Sequence, residues 1–477
     1  MSDATDSPPT STAAEQPRGG WSIVREALAG SRRDYTEGSI GRSIALLAIP
    51  MVLEMSMESI FAVVDVFFVS RLGADAVATV GLTESMLAII YAVAMGLSIG
   101  ASATVARRIG ARDADGAARA AVQAVALGIL ISTVLGIGGA MFAPQLLRLM
   151  GASSSVLETG TMFTRVMLGA NASVLLLFLV NAIFRGAGDA AIAMRTLWLA
   201  NAINIVLGPC LIFGLGPFPR LGVTGAAIAT SIGRGTGALF AISRLVFSDG
   251  RVRVRARHLR IEPAIMLGML RLSGSATFQV LVGTASWVAL IRILARFGSD
   301  ALAGYTIAIR ILLFVLLPSW GVSNAAATMV GQALGAGKPE RAEQAVWRAC
   351  FYNMCVLGTM GLIFVLFARG LAGIFAPDPA ALDYASSGLR IMAFGFPLYA
   401  YGMVLSQSFN GAGDTWTPTW INVFIFWLLE IPLAYALAFH FGLGPRGVFI
   451  AVTIAFSALA LVSAMVFRRG AWKVARV

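Results

Sequence analysis

The stretch FRGAGD at residues 184–189 returns as FNGAGD at residues 409–414, a separation of 225 positions (409 − 184). The same offset carries RLGADAVA (71–78) onto RFGSDALA (296–303), Gly96 onto Gly321, Gly110 onto Gly335 and Arg165 onto Arg390. One offset kept over so much of a chain marks an internal duplication, so the fold is expected to be two copies of one unit. Each hexapeptide lies in a short polar break between apolar runs. There glycine supplies positive φ for a tight helix-to-helix turn, and the aspartate is placed to cap the next helix. GAGD is too short for a phosphate-binding fingerprint.

Those runs place the repeat in a membrane. Of 477 residues, 58% are hydrophobic and 13% charged, against roughly half and a quarter in a soluble domain. Apolar runs of about 20 residues, each long enough to cross a hydrocarbon core of about 30 Å, begin near Ser43, Val77, Ala117, Leu157, Asp189, Gly222, Met266, Ala301, Ala342, Leu382, Thr415 and Gly447. The expectation is an all-α membrane protein with twelve transmembrane helices in two six-helix lobes. Six spans per copy is even, so the lobes share orientation and are related by a pseudo-two-fold axis along the membrane normal. The expected organisation is a disordered cytoplasmic tail over 1–39, an N-terminal lobe over 40–248, a basic cytoplasmic linker over 249–263, a C-terminal lobe over 264–468 and a basic tail over 469–477.

The net charge of +12 does not point to nucleic acid, because of where it sits. Arg18, Arg25, Arg32, Arg33 and Arg42 precede span one; Arg107, Arg108 and Arg112 follow span two; Arg185 and Arg195 flank the break after span four; RVRVRARHLR (251–260) follows span six. Lys338 and Arg341 follow span eight, and Arg468, Arg469, Lys473 and Arg476 close the chain, while the intervening breaks are poorer in basic residues. The positive-inside rule therefore puts both termini in the cytoplasm, with the basic linker at the lipid headgroups. Cys210, Cys350 and Cys355 lie within spans without CxxC spacing, so no metal site or disulfide framework is indicated. No catalytic residue is expected either. GLSIG at 96–100 matches GxSxG, but the two histidines, His258 and His440, lie at a loop and a span end. Gly96 and Gly100 read as helix-packing positions.

Against this background LEMSMESIFAVVD (53–65) is anomalous, since it brings Glu54, Glu58 and Asp65 into an apolar span. At about 100° per residue, Glu58 lies about 40° and Asp65 about 20° around the helix from Glu54, with Phe61 in the same stripe and a rise of about 16 Å end to end. An ionisable group at a helix centre costs roughly 2.5–3.5 kcal/mol. Three on one face are expected to line a wet cavity and exchange protons rather than face lipid. The offset of 225 maps Glu54 onto Gln279, Glu58 onto Gly283 and Asp65 onto Leu290, so the architecture itself does not need the acids.

With two similar six-span halves, PMVLEMSMESIFAVVDVFFVSRLG early in the first, and the paired GADAVA and GQALGAG elements, residues Ile40 to Phe467 resemble the MATE family of multidrug and toxic compound extrusion antiporters. The similarity is greatest to its DinF-like branch, in which an aspartate follows a proline on the first helix; Pro50 and Asp65 stand in those places. Pro50 marks a helix bend that protonation could bias. The resemblance further implies an asparagine and a second aspartate on helix five and a threonine on helix six. Asn204 and Thr230 match, and Gly208 stands where the second aspartate would be. A sodium ion favours several oxygen ligands in a negative site, so the missing carboxylate favours protons. NorM-like relatives place acids on helices seven and ten, and the corresponding stretches here, around Gln279 and from Tyr399 to Gln407, contain none.

The resemblance implies no enzyme and no cofactor, with a proton, or alternatively Na⁺, as coupling ion. It implies a monomeric, multi-pass protein of the prokaryotic cytoplasmic (inner) membrane that exports amphipathic, cationic small molecules by alternating access and contacts lipid but not nucleic acid. Asp65, Asn204, Thr230 and Glu54 are expected to couple the cation. Glu54, Glu58, Met57, Phe61 and Asn181 are expected to line the substrate pathway, with Met51 beside them. Arg310 and Glu430 are expected to pair inside the second lobe, and Glu84 is open between coupling and structure. The rival reading is a flippase for a lipid or lipid-linked saccharide. It would need cationic groups in the cavity, and the first lobe is expected to be short of them.

Overall fold

The computed structural model describes residues 20–475 except Arg32, Asp249 and Pro377, so the outer parts of both expected tails, with Arg18 and Arg476, lie outside the described residues. The described chain is helical almost throughout, as hydrocarbon demands, because only intra-segment hydrogen bonds satisfy a lipid-facing backbone. The first lobe contains α2 (Ile40–Ser70), α3 (Ala74–Gly110), α4 (Ala114–Leu149), α5 (Ser154–Gly169) continued by α6 (Asn171–Ala187), α7 (Ala190–Phe213) and α8 (Val223–Phe247). The second repeats the order with α9 (Pro263–Leu294), α10 (Ser299–Gly335), α11 (Pro339–Gly373), α12 (Pro379–Ala393) with α13 (Phe396–Ala412), α14 (Trp416–His440) and α15 (Pro445–Arg468). α12 and α13 form one span bent by 62°. In α14 the backbone widens to π-helical winding over Val423–Glu430 and Ala436–His440.

The GAGD turns behave as the glycines require: Gly188 and Gly413 have φ of 86° and 85°. Capping is found only in the second copy. The Asp414 carboxylate accepts the Thr417 N–H at 3.1 Å, whereas Asp189 makes no cap to its own helix and accepts the Arg251 N–H at 3.3 Å, tying the turn to the linker.

The lobes meet through small residues. A methyl group on Gly110 would overlap the Gln332 carbonyl oxygen, and one on Gly335 the Arg107 carbonyl oxygen; nearer mid-span, Gly96 abuts α9 at Thr277 and Gly321 abuts α2 at Val52. All of these contacts lie between the terminus-bearing ends of α2, α3, α9 and α10 and their midpoints. Towards the opposite end, Glu84 of α3 and Arg310 of α10 are exposed yet within Coulomb range of each other. The lobes are closed onto each other at the end carrying the termini.

The segment expected to be a disordered tail is ordered from Gly20. α1 (Gly20–Ala29) buries Ala27 and is anchored by Glu26, which pairs with Arg33 at 2.7 Å and Arg42 at 2.6 Å. The following strap crosses the closed face. Arg112 of the first lobe reaches Asp34 and Glu37, at 3.4 and 3.2 Å. From the second lobe, Arg341 donates to the carbonyl oxygens of Tyr35, Glu37 and Gly38, and Lys338 to that of Thr36. Polar composition hides this order, because the partners are distant arginines.

Candidate transport site

α2 is held against α7 and α8, which approach each other through glycine: a Cβ on Gly233 would lie 2.5 Å from the Ala200 carbonyl oxygen, and one on Gly237 2.8 Å from the Ala200 methyl carbon. This close approach brings the α7 and α8 side chains up to the stripe on α2.

Glu54 is 1% exposed. Its Oε1 accepts from Arg185 Nη1 at 2.6 Å and from Asn181 Nδ2 at 3.3 Å, both on α6, while Oε2 has no partner. The expectation that Arg185 is a loop cation is therefore corrected. Side chains tilt towards the start of a helix, and from the last turn of α6 this one reaches back inside. One turn further along α2, Glu58 Oε1 accepts from Arg234 Nη2 at 3.0 Å and Oε2 from Asn201 Nδ2 at 3.1 Å. Arg234, 3% exposed, also lies among the rings of Phe61, Phe178 and Tyr91, 5.5, 5.8 and 6.0 Å from their centroids. The expected shortage of first-lobe cations is thus overturned as well: two arginines answer two of the three acids.

Asp65 differs. It is half-buried and, among the described residues, makes no ion pair or hydrogen bond, although Arg234 and Glu84 are within Coulomb range. Asn204 Nδ2 donates to Thr230 Oγ1 at 2.8 Å, closing α7 onto α8. Since α2 and α7 run away from the closed end and α8 returns, this pair lies one turn beyond the Glu58 layer, towards Asp65. The structure therefore brings Glu54 together with Asn181, and Glu58 and Phe61 with Arg234. Asn204 and Thr230 are joined to each other, and Asp65 is hydrogen-bonded to neither. Pro50 is buried inside an unbroken α2, and Met57 is half-buried beside the acids. Met51 is fully buried against α10, within the core where the lobes meet.

Where the lobes meet, a cavity of about 60 Å³ is lined by Ser98, Arg185, Asn324, Thr328, Gln407 and Asn410, among others. The offset of 225 exchanges Arg185 with Asn410, so the cavity sits on the pseudo-two-fold axis.

In the second lobe the expected Arg310–Glu430 pair does not form. Glu430 is 1% exposed with neither carboxylate oxygen hydrogen-bonded, near Ser286, Tyr305 and Tyr399. Arg310 lies five residues beyond Tyr305, about 140° around α10, and is exposed within Coulomb range of Glu84 on α3. Sequence reasoning missed Arg234, Asn201, Tyr91 and Phe178. An arginine in the middle of SIGRGTG was the available signal, because such a charge needs a partner inside the bundle.

Comparison with known proteins fits this arrangement. The MatE family model matches residues 50–210 and again residues 276–436, more than half of the chain. The "Probable multidrug resistance protein YoeA" of Bacillus subtilis is 26% identical over 428 residues, covering 88% of this chain and 91% of its own. An FAD transporter of Shewanella oneidensis is 26% identical, covering 89% of this chain and 93% of its own. A solved outward-facing multidrug resistance MATE transporter superposes with a TM-score of 0.86 at 28% identity, covering 97% of this chain and all of that one. With two copies of the family's unit, two six-span lobes and a multi-pass membrane architecture, the chain belongs to the MATE family of multidrug efflux transporters, which are not enzymes.

Proposed function

We propose that the chain is a secondary active antiporter of the inner membrane, exporting amphipathic organic cations in exchange for protons. The observation that carries this reading is the charge pattern of the α2 stripe: Glu54 and Glu58 each have an arginine, and Asp65 has no direct partner. A carboxylate in that position suits reversible protonation. Ionised, it leaves the three acids of the stripe and their two arginines with net negative charge that attracts a cation; protonated, it releases one. The Arg and Lys distribution supports termini on the cytoplasmic side, so the closed end faces the cytoplasm.

One feature of the sequence favours a proton over sodium: Gly208 supplies no second carboxylate. Among the described residues, no three of His, Cys, Asp and Glu converge as cation ligands. A flippase or a carrier of anions such as FAD would use cavity cations. Arg185 and Arg234 are each held by a carboxylate, which supports cations as cargo.

Exchange of one proton for one monovalent cation moves no net charge, so it draws on the pH gradient at about 1.4 kcal/mol per unit. A second proton would add voltage, worth about 2.3 kcal/mol per charge at 100 mV. Everted vesicles accumulating a fluorescent cation under an imposed pH gradient test the reading. Asp65→Asn is expected to abolish gradient-driven accumulation, and retention of it with unchanged ionophore sensitivity would refute the assignment.

A further inference from the structure

We propose that Arg234 is a mobile counter-ion of the coupling site, held by Glu58 while Asp65 is protonated and drawn to Asp65 when that proton leaves. The inference rests on the assignment of Asp65 as the coupling acid and adds the residue that answers its charge.

Geometry distinguishes this arginine from a structural ion pair. A guanidinium fixed for stability presents two parallel donors to one carboxylate. Here Glu58 takes only Nη2, because its other oxygen is occupied by Asn201, and the buried Nε and Nη1 have no acceptor. Leaving such donors unmade costs about 1–3 kcal/mol each. The unpartnered acceptor further along the stripe is Asp65. Glu58 and Asp65 lie seven residues apart on α2, on nearly one face and about 10 Å along the axis. Phe61 falls between them, and the guanidinium already lies 5.5 Å from its ring centroid. Attraction to ring faces does not fix one orientation, so Phe61, Phe178 and Tyr91 can hold the cation at either end of its movement.

The charged and titratable groups around Asp65 are few. Arg234 approaches from α8, Glu58 stands on its own helix, and Glu84 and Tyr91 belong to α3, with Arg310 of α10 beyond Glu84. α7 contributes the amides Asn201 and Asn204. With Asp65 protonated, Glu58 and Arg234 are balanced and the site has no net charge. With Asp65 ionised, one guanidinium serves two carboxylates, and the excess negative charge receives the cationic cargo. Because Arg234 is on α8 and both acids are on α2, the movement also transmits the protonation state from one helix to the other.

The test titrates Asp65 directly. The full chain in lipid nanodiscs is followed by infrared difference spectroscopy, using the carbonyl band of a protonated acid that vanishes in Asp65→Asn. Arg234→Gln removes the counter-charge and is expected to move the midpoint of that band upward by about 1–3 pH units, while Arg234→Lys stays near the parent. Glu58→Gln frees the guanidinium for Asp65 and is expected to move the midpoint downward. Opposite displacements are required but follow from charge alone, so movement is read from the guanidinium C–N stretch that Arg234→Lys removes: a shift of that band in step with the Asp65 midpoint supports the proposal, and a band that stays constant across the titration, or midpoints matching the parent, overturns it. Should Arg234→Gln fail to fold, the parent's guanidinium band decides in the same way. If instead Asp65→Asn leaves both the carbonyl band and gradient-driven export intact, the coupling assignment fails, a different result from a carbonyl band that exists but ignores Arg234.

Discussion

Replacing Arg185 by glutamine is expected to destabilise the first lobe by about 3–5 kcal/mol, the usual cost of stripping one partner from a buried ion pair. Glu54 is 1% exposed, and the carboxylate oxygen held at 2.6 Å by Arg185 has only the Asn181 amide, at 3.3 Å, to fall back on. A pair of unit charges about 4 Å apart at an effective dielectric of 20 is worth about 4 kcal/mol, which agrees. Glu54→Gln should be milder, because Arg185 also borders the cavity on the pseudo-two-fold axis and can be hydrated there. The double variant Glu54→Gln/Arg185→Gln removes both charges and should recover most of the loss, leaving it within about 1 kcal/mol of the parent. Reversible unfolding of the purified protein in mild detergent, run as a double-mutant cycle, measures the coupling directly. Arg185→Gln within about 1 kcal/mol of the parent, or single effects that simply add, would refute the pairing as a source of stability.

Gly335→Val places a branched side chain against the Arg107 carbonyl oxygen where the lobes close, so it should favour separation of the terminus-bearing ends; spin-label distances across that face would lengthen, and unchanged distances would contradict the packing. Glu430→Gln keeps the shape of a buried acid that no cation holds among the described residues, so it should fold nearly as the parent does; thermal unfolding in detergent would expose a hidden partner by a large loss. The strap should resist mild acid. Burial raises the Asp34 carboxyl, yet hydrogen bonds from Thr36 and Arg112 prevail and hold it below its ordinary value. Its contribution is therefore present above an unfolded value of about 3.9 and fades only as pH falls through the lower folded one. Limited proteolysis between residues 20 and 39 should stay slow at pH 5, and early cleavage there would count against the Asp34 clasp.

The duplication made the fold legible, because one offset aligned turns, glycines and spans without reference to any partner. The acid stripe was legible too, since charge in an apolar run is conspicuous. What it touches was not. Arg185 sits beside a turn, and only the backward tilt of its side chain from the last turn of α6 brings it to Glu54. Arg234 was overlooked because glycine and threonine around it dilute the span's apolarity. Its match to Glu58 depends on the close approach of α7 and α8, which no local pattern encodes. The Arg310–Glu430 expectation failed for the converse reason: opposite charges in one lobe were matched by residence, while helical phase separates them.

Comparing the two lobes shows that the first-lobe charges belong together. At the offset of 225, Glu54 and Arg185 become Gln279 and Asn410, so both members of the pair are neutral in the second lobe. Glu58 becomes Gly283 and Asn201 becomes Phe426. For α8 the register is set by Gly225 and Gly447, each pressed against the backbone of the preceding span, and their offset of 222 places Phe456 where Arg234 stands. Phe426 and Phe456 are in ring contact, with centroids 5.2 Å apart. An aromatic pair thus stands where the amide and the guanidinium stand in the first lobe, and Gly283 leaves open space where the carboxylate would be. Neither carboxylate nor its arginine survives without the other, which is the outcome expected if either one alone would be a buried, unanswered charge. Asp65, which becomes Leu290, differs from the other two acids of the α2 stripe: it has no direct partner, and the architecture can dispense with it. That combination is what an exchangeable proton requires and what a structural charge avoids.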